Sequence, residues 1–430
     1  RALIHRAYKP VQQEAALKGT WKRVMDPEVD LEELQGFLSG HADDSGPGPS
    51  RLVYGHIKHA TKEAQLAVCE LGTAILHGHA TWTEGALRST MTMLRKKAGA
   101  SLRSYRPVTL QQVMTKIVTG ILAARLAKAI QAGGVLSALQ HGFIPGGEVG
   151  DPLAVLNAVL EHARWARQAP NGKSDTCEAT GEVHLCLYDF SNAYTTVPGW
   201  GLEVAMRRLH MPEVIIQLMV ALVEGQQIAV RTAGGMTGEF KVEGGLPQGD
   251  PCSCILWAIV MDPLLSALEE LREGRLPGYE AACYEAKWKD ERAGHGDGDG
   301  GAGAQKDSAS EAGQSRLLRR GGGEEACKPG DTRAAKKKRV ETIHSQNVVG
   351  EAFADDLNGV ADTRAKLERI SEVVGVVSGF LSLIVAHEKL DYMACDEKGT
   401  PLKDTLAVPG LARAEESKAT GWSGRVEWRG

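Results

Sequence analysis

The chain has 430 residues, enough for one large domain or a few smaller ones, and its 43% hydrophobic content supports a real core. No signal peptide opens it, and the longest uncharged apolar run, Val373 to Ala386, is shorter than the roughly 18–20 residues that span a bilayer. The eight cysteines form no CxxC pair, as in proteins with reduced thiols. These features exclude a membrane-spanning or disulfide-stapled protein and indicate an intracellular one. Arg1 in place of Met suggests a fragment.

The formal net charge is −4, but the charge is unevenly distributed. Nine lysines and arginines and no acid lie between Arg88 and Lys128, whereas much of the acid lies in residues 1–50 and 285–345. A dense run of cations attracts polyanions whatever the total charge. We therefore expect a basic face on this part of the molecule.

The first half of the chain is predicted to be mainly helical. A Gly- and Pro-rich cluster, Ser45 to Ser50, excludes regular structure there. Apolar residues then recur at three- and four-residue steps, which predicts a helix pair over Arg51–Arg95 and further helices over Leu110–Ile130 and about Pro152–Ala166. The polar side of the predicted Leu110–Ile130 helix carries Lys116, Arg125 and Lys128.

The second half mixes strands and helices, so the predicted class is α+β. An apolar strand, Val183 to Asp189, ends in an acid, and a second strand, acidic turn and strand follow over Asn347–Val360. A hairpin is predicted around Gly234 from Ile228–Arg231 and Glu239–Val242. Helices are predicted near 200–210, 212–224, 251–271 and 363–380. Residues 285–345 are dominated by glycine and charge, which predicts a disordered insertion.

Acidic residues follow the apolar strands at two places. Asp189 ends one strand, and Asp355 and Asp356 form the turn of the later hairpin. Because a buried carboxylate is unfavourable unless it is paired or binds a metal, we expect these three side chains to meet if the strands are neighbours. Three such carboxylates suit two divalent cations in phosphoryl displacement, and Mg²⁺ is the ion that prefers oxygen ligands and substrate phosphates. A doubled Asp in a solvated loop, such as Asp43-Asp44, is the alternative interpretation.

Eight landmarks in the same order resemble the reverse transcriptases of non-LTR retrotransposons, over roughly residues 24–400. They are Gly46-Pro47-Gly48-Pro49, Trp82 with Leu94-Arg95-Lys96-Lys97, Ser104-Tyr105-Arg106-Pro107-Val108 leading to Lys116-Ile117, Gln140-His141-Gly142-Phe143, Tyr188-Asp189-Phe190-Ser191-Asn192-Ala193-Tyr194 (motif A), Gly245-Leu246-Pro247-Gln248-Gly249-Asp250-Pro251 (motif B), Phe353-Ala354-Asp355-Asp356 (motif C), and Gly379-Phe380 through Lys389 (motif D).

The resemblance implies a right-hand polymerase fold, with fingers and palm and a small antiparallel sheet flanked by helices. By this resemblance the chain divides into an N-terminal extension (1–45), fingers (46–180), palm with motifs A and B (181–284), the insertion (285–345), palm with motifs C and D (346–400), and a tail without a recognisable thumb (401–430). The activity implied is RNA-directed DNA synthesis, with template RNA, a DNA primer and dNTP as partners and two Mg²⁺, or Mn²⁺, as cofactors.

The resemblance also implies roles for single residues. Asp189, Asp355 and Asp356 would be the metal-binding catalytic residues, and Lys389 a general acid for pyrophosphate. The substrate-binding residues would be Arg106, Phe190, Tyr194, Gln248 and Gly249. In this set Tyr194 would exclude a 2′-OH and Arg106 would bind the triphosphate. Core packing of Tyr194, an ordinary turn at Gln248, and solvated Arg106 and Lys389 are the alternatives.

Some features depart from the family. Thr195 stands where a second motif A aspartate is common, the 285–345 insertion is long, and no thumb is recognisable after Lys389. Two alternative functions therefore stay open, namely a catalytically decayed RNA-binding remnant and a polymerase of intron-maturase or RNA-templated RNA type. Lys336 to Arg339 matches a nuclear localisation signal, or a solvated charge run, so the expected location is nuclear or cytoplasmic.

Overall fold

The computed structural model describes residues 2–96, 98, 104–168, 181–273, 278–288, 339–386, 389–402, 405–409 and 423–427. The helices are α1 (Ala2–Ala7), α2 (Glu14–Met25), α3 (Leu31–Ser39), α4 (Tyr54–Lys58), α5 (Lys62–Leu76), α6 (Glu84–Leu87), α7 (Val113–Gly133), α8 (Gly150–Gln168), α9 (Gly199–Arg208), α10 (Glu213–Glu224), α11 (Ser253–Glu273) and α12 (Arg364–Phe380). The strands are β1 (Arg88–Arg95), β2 (Tyr105–Gln111), β3 (Val183–Tyr188), β4 (Phe190–Ser191), β5 (Gln227–Thr232), β6 (Gly235–Met236), β7 (Phe240–Lys241), β8 (Tyr279–Trp288), β9 (Arg339–Val348), β10 (Gly350–Phe353), β11 (Asp356–Ala361), β12 (Ile384–Val385), β13 (Asp391–Cys395), β14 (Thr405–Pro409) and β15 (Ser423–Glu427).

The fold is mixed α and β with small sheets, as predicted. One unit comprises Arg1–Ala281 with Gln346–Gly430, and the other comprises Ala282–Ser345. Strands β8 and β9 extend into the ends of the predicted insertion and form a two-stranded sheet. The rest of the insertion, and Lys336–Lys338 of the predicted nuclear signal, lie outside the described residues.

The central sheet has the order β10-β11-β3-β13, and each neighbouring pair is antiparallel. Strand β3 lies in its middle and has apolar side chains on both faces. Cys186 and Tyr188 belong to the main core, whereas Val183 and Leu185 pack in a smaller core with Val159 of α8. Burial on both faces explains why the apolar residues of β3 do not alternate with exposed polar ones. Its histidine, His184, is itself buried, with Nδ1 2.8 Å from the Tyr392 hydroxyl. Helix α12 packs on β3 and β11.

A second sheet has the order β2-β1-β5-β6, with β7 also paired to β5. The predicted helix pair over Arg51–Arg95 is therefore wrong at its end, because Arg88–Arg95 is a strand between β2 and β5. Threonine alternates with methionine in this segment, and Ser89 and Thr90 are buried in it. β-Branched side chains favour such a pleated surface once neighbouring strands cover it.

The predicted basic face is wrong for helix α7. Lys116 is 7% exposed and Arg125 is 3% exposed, so two of the three cations on the supposed polar side point inward. The Arg125 guanidinium bonds both carboxylate oxygens of Glu33, at 2.9 and 2.6 Å. The Lys116 ammonium bonds the Gly46 carbonyl at 3.2 Å and lies 5.1 Å from the centre of the Tyr54 ring. These cations hold N-terminal segments to α7 instead of facing solvent.

A buried ion pair connects helices α9 and α11. The guanidinium of Arg208 bonds the carboxylate of Asp262, and both residues are buried. Arg208 Nε also donates to the Ala7 carbonyl at 3.0 Å, and the other oxygen of Asp262 accepts from the Ser137 backbone N–H at 2.7 Å. The pair therefore joins four segments of the chain.

Candidate active site

The three aspartates lie at the same end of the strands of the central sheet. The last paired residues of β11 and β3 are Leu357 and Tyr188, so Asp356 and Asp189 are the next positions along the same two strands. Asp355 precedes Asp356 in the two-residue turn between β10 and β11. The Tyr188 hydroxyl and Ser371 Oγ of α12 are 2.6 Å apart, which anchors the strand end that carries Asp189.

The charges of these carboxylates act on one another. Burial raises the pKa of Asp355, and the charges of Asp356 and Asp189 raise it further. Burial also raises the pKa of Asp356, again with a contribution from Asp189. Because like charges held close together favour protonation, a bound cation would relieve the repulsion at this edge.

Lys389 faces Asp189 from the other side of β3. In the register of β13 with β3, Asp391 pairs with Leu187, so Lys389 is opposite Asp189. Its ammonium bonds Asp189 Oδ2, and this hydrogen bond raises the pKa of Lys389. A raised pKa makes an ammonium a weaker acid, so proton donation would require Lys389 to leave Asp189.

The donor chemistry of this edge fits a hard divalent ion, since all three side chains are carboxylates. In the part of the chain that the structure describes, however, no three Asp, Glu, His or Cys side chains are grouped closely enough to hold a metal ion as they stand. Asp189 is paired with Lys389 instead. Metal binding through Asp189 Oδ2 would therefore require this ion pair to open.

The two aromatic site residues predicted from motif A, Tyr194 and Phe190, differ in how deeply their rings are buried. Tyr194 is half-buried in a 3₁₀ turn, and its ring stacks on Trp257 with centroids 5.5 Å apart and contacts Phe143 edge to face at 6.4 Å. Burial raises the pKa of Tyr194, so it remains a neutral phenol. Phe190 is 2% exposed and its ring packs edge to face against Trp257, which leaves only its backbone for contact with a substrate.

The motif B residues lie against strand β2. The Gln248 carbonyl accepts a hydrogen bond from the Thr109 N–H at 2.7 Å. Gly249 has φ of +116°, and a β-carbon there would lie 2.8 Å from the Thr109 oxygen, so this position requires glycine. Arg106 is exposed on the same strand.

Two residues that support this site were not predicted. The side chains of Gln140 and Trp257 both contact the backbone of Ala354, next to Asp355. The QHGF landmark contains Gln140, but its pattern gives no partner. In the sequence, Trp257 is one of many apolar residues in the predicted buried helix over 251–271. No pattern distinguishes it from its apolar neighbours as a residue that supports the site.

A buried carboxylate follows the glycine of motif B. Asp250 is 4% exposed; one oxygen accepts from the Cys252 N–H at 2.8 Å and the other from the Thr119 hydroxyl at 2.9 Å. Burial raises the pKa of Asp250 to about 6, although the hydrogen bonds from Cys252, Thr119 and Gln111 lower it. The hydrogen bonds connect motif B to α7 and β2.

The replacement Asp250→Asn should change how stability depends on pH. The folded state binds this proton more tightly than the unfolded state, so wild-type stability contains a contribution that is lost as pH rises from about 4 through about 6. A difference of about two between the pKa in the folded state and the pKa in the unfolded state corresponds to roughly 3 kcal/mol. The unfolding free energy of the variant relative to wild type should therefore increase by up to that amount between pH 4 and 7, in urea titrations. An unchanged difference across this range would show that Asp250 does not titrate there.

The structure can be compared with known proteins at this point. Residues 94–284 match the family model described as "Reverse transcriptase (RNA-dependent DNA polymerase)". The chain is 24% identical over 263 residues to the retrovirus-related Pol polyprotein from the type-2 retrotransposable element R2DM of Drosophila melanogaster, a match that covers 60% of this chain and 22% of that protein.

Two further relatives are similar over slightly more than half of the chain. The probable RNA-directed DNA polymerase from transposon X-element of Drosophila melanogaster is 26% identical over 232 residues, which are 53% of this chain and 24% of that protein. The retrovirus-related Pol polyprotein from the type-1 retrotransposable element R2 of Popillia japonica is 26% identical over 243 residues, 55% of this chain and 30% of that protein. The chain thus spans only about a quarter of the length of these relatives. It carries a reverse transcriptase domain of the non-LTR retrotransposon type.

Proposed function

We propose that this chain is the fingers-and-palm part of an RNA-directed DNA polymerase that transfers nucleotides from dNTP to a primer 3′-OH on an RNA template. The observation that carries the proposal is the position of Asp189 and Asp356 on adjacent strands, with Asp355 in the adjoining turn. The match to a reverse transcriptase model over 94–284 supports the choice of reaction. Among the described residues, no helix is long and apolar enough to cross a membrane.

The proposed division of the chain follows from the site. Residues 46–180 would be the fingers, and 181–284 with 346–400 the palm, because the central sheet draws its strands from these two ranges. Residues 1–45 would be an extension, although its α2 and α3 pack on α7. Residues 285–345 would be an insertion within the palm, and 401–430 a tail.

Two divalent ions, Mg²⁺ or Mn²⁺, would be held by Asp189, Asp355 and Asp356. When bound, such ions neutralise developing charge on the attacking and leaving oxygens. The protein would keep three carboxylates at one edge, where burial first, and the neighbouring charges second, raise the pKa of Asp355 and Asp356. Lys389 would release Asp189 and become available as a proton donor to the leaving pyrophosphate.

The nucleotide would lie between motif A and the strand that carries Arg106. The exposed guanidinium of Arg106 suits bidentate contact with a phosphate. Gln248 and Gly249, held on Thr109 of the same strand, would line the position of the new base pair. Phe190 would contribute through its backbone only, since its ring is buried.

Tyr194→Ala should admit ribonucleotides. The Tyr194 ring is half-buried on Trp257, close enough to Asp355 for its charge to act on the phenol, so a nucleotide sugar bound at the carboxylates would meet this ring. Removing the ring would leave space for a 2′-OH, and the ratio of incorporation of dNTP to rNTP should fall by about tenfold or more, a difference of at least about 1.4 kcal/mol. The measurement is single-nucleotide extension with each substrate. Unchanged sugar selectivity would assign Tyr194 to core packing.

Primer extension on poly(rA)/oligo(dT) with Mg²⁺ tests the proposed function. We expect dTTP incorporation that depends on the divalent ion. Salt-dependent RNA binding without incorporation would favour a non-enzymatic RNA-binding protein instead. Preferred incorporation of UTP would favour an RNA-templated RNA polymerase.

A further inference from the structure

The turn that carries Asp355 has a strained backbone. Ala354 has φ of +60°, whereas Asp355, the second residue of the turn, is not among the residues with positive φ. Positive φ at the first central residue alone is the pattern of a type II′ turn, which favours glycine there. A residue with a β-carbon keeps this conformation only when its surroundings hold it.

Two side chains from other parts of the fold hold Ala354. Gln140 Oε1 accepts from the Ala354 N–H at 3.2 Å and from the Gly142 N–H at 2.9 Å. Trp257 Nε1 of helix α11 donates to the Ala354 carbonyl at 3.0 Å, and Gln140 Nε2 makes a longer contact with the same oxygen at 3.5 Å. Gln140 is 5% exposed and Trp257 is fully buried. Both backbone polar atoms of Ala354 are therefore occupied by buried side chains.

The chain around Gly142 fits closely against the same residue. A β-carbon at Gly142 would lie 2.1 Å from the Ala354 nitrogen. On either side of Gln140, the Ala352 N–H donates to the Leu139 carbonyl at 2.8 Å and the His141 N–H donates to the Ala352 carbonyl at 2.9 Å. The backbone of Gln140 is thus fixed alongside β10 by the bonds on either side of it, which places its side chain at the turn.

The peptide bond that is held leads directly into Asp355. Its carbonyl is the Ala354 oxygen, so the bond from Trp257 sets the orientation of the peptide plane from which Asp355 extends. Asp189 is anchored separately, because its carbonyl accepts from the Ala386 N–H at 2.7 Å and Tyr188 is bonded to Ser371. Loss of the contacts to Ala354 would therefore move Asp355 relative to Asp189.

We propose that Gln140 and Trp257 are positioning residues that set the distance between the motif C and motif A carboxylates by holding the Ala354–Asp355 peptide. The catalytic meaning of this inference rests on the proposed function. The hydrogen bonds that Gln140 and Trp257 make to Ala354 do not depend on that function. Partners of this kind orient the ligands of a metal ion without touching the ion.

The test uses variants that each remove one contact. Gln140→Met loses both polar atoms at similar volume, and Trp257→Phe loses the N–H but keeps a ring beside Tyr194. The matched controls are Gln65→Met and Trp82→Phe. Gln65 is a buried glutamine that donates to the Ile57 carbonyl at 3.0 Å, and Trp82 is a buried tryptophan that donates to the Leu218 carbonyl at 2.9 Å.

Two readouts do not require turnover. Hydrogen exchange of the amides of residues 354–357, measured without metal, should accelerate in Gln140→Met and Trp257→Phe and not in the controls. Mn²⁺ binding followed by electron paramagnetic resonance should weaken roughly ten- to a hundredfold in the same two variants and stay within about twofold in the controls. A melting temperature on all four variants shows whether comparable losses of stability accompany these changes.

A rescue variant separates positioning from general destabilisation. Glycine adopts positive φ without a β-carbon penalty, so adding Ala354→Gly to Gln140→Met should restore part of the Mn²⁺ affinity. Wild-type exchange and Mn²⁺ affinity in both variants, or equal losses in the controls, would overturn the proposal. If wild type fails in primer extension while the exchange and Mn²⁺ results are as expected, the proposed polymerase function fails and the positioning role stands.

Discussion

Asp355→Asn should lower dNMP incorporation about a thousandfold or more while RNA affinity stays near that of wild type. Asparagine matches the shape of aspartate but carries no charge, so the site loses a ligand for a divalent ion that stabilises the transition state by several kcal/mol. The residues expected to contact nucleic acid are not altered. Single-turnover incorporation and a filter-binding titration on the same preparation measure the two effects.

The same variant should be no less stable than wild type. The pKa of Asp355 is raised because burial, and then the charges of Asp356 and Asp189, disfavour its ionised form, and removing the charge relieves both effects. An unchanged or higher melting temperature with lost activity would separate catalysis from folding. Asp44→Asn is the control, since Asp44 belongs to an exposed Asp-Asp pair away from the sheet edge. Retained incorporation by Asp355→Asn would contradict the metal-ligand assignment.

Arg208→Met should destabilise the protein by about 3–5 kcal/mol, because it leaves Asp262 buried without its cation. The neighbouring residue offers a matched control. Arg207 also forms ion pairs, at 2.9 Å with Glu203 and 2.7 Å with Glu213, but its side chain is 48% exposed. Solvent screens such pairs, so Arg207→Met should have little effect. Urea unfolding at neutral pH measures both.

A second substitution identifies the cause of the Arg208 effect. Asp262→Asn removes the unpaired charge and retains an oxygen for the Ser137 N–H. The variant Arg208→Met, Asp262→Asn should therefore recover part of the stability that Arg208→Met loses. No recovery would mean that lost packing and the lost bond to Ala7, and not the buried charge, explain the effect.

The positions of Asp189, Asp355 and Asp356 at the ends of strands could be predicted from the sequence, whereas their roles stay predictions. Strand β3 is a mainly apolar run that ends next to Asp189, and the acidic turn between β10 and β11 follows another mainly apolar run, Val348 to Ala354. Helix α7 was also predicted within a few residues of its bounds, because its apolar positions repeat with the helical period. The period of the apolar residues identifies a helix or a strand. The pairing register of two strands then follows once they are known to be neighbours.

Contacts between distant segments could not be predicted in the same way. The helical pattern of α7 does not reveal that Glu33 lies beside Arg125, so a buried cation was assigned to the surface. The strand at Arg88–Arg95 is stabilised by β2 and β5, which follow it in the chain by about ten and more than a hundred residues. Trp257 became recognisable only when the fold brought it to Ala354, 97 positions away.

The pairing of Lys389 with Asp189 has a consequence for the metal-free protein. Three carboxylates at one edge would repel each other while the chain folds, but the ammonium of Lys389 acts as an internal counterion from the neighbouring strand. The central sheet can therefore form with these carboxylates at one end before any divalent ion is present. Under the proposed function, ion binding would exchange one cation for another, so the occupancy of the site would respond to metal concentration without requiring the sheet to reform.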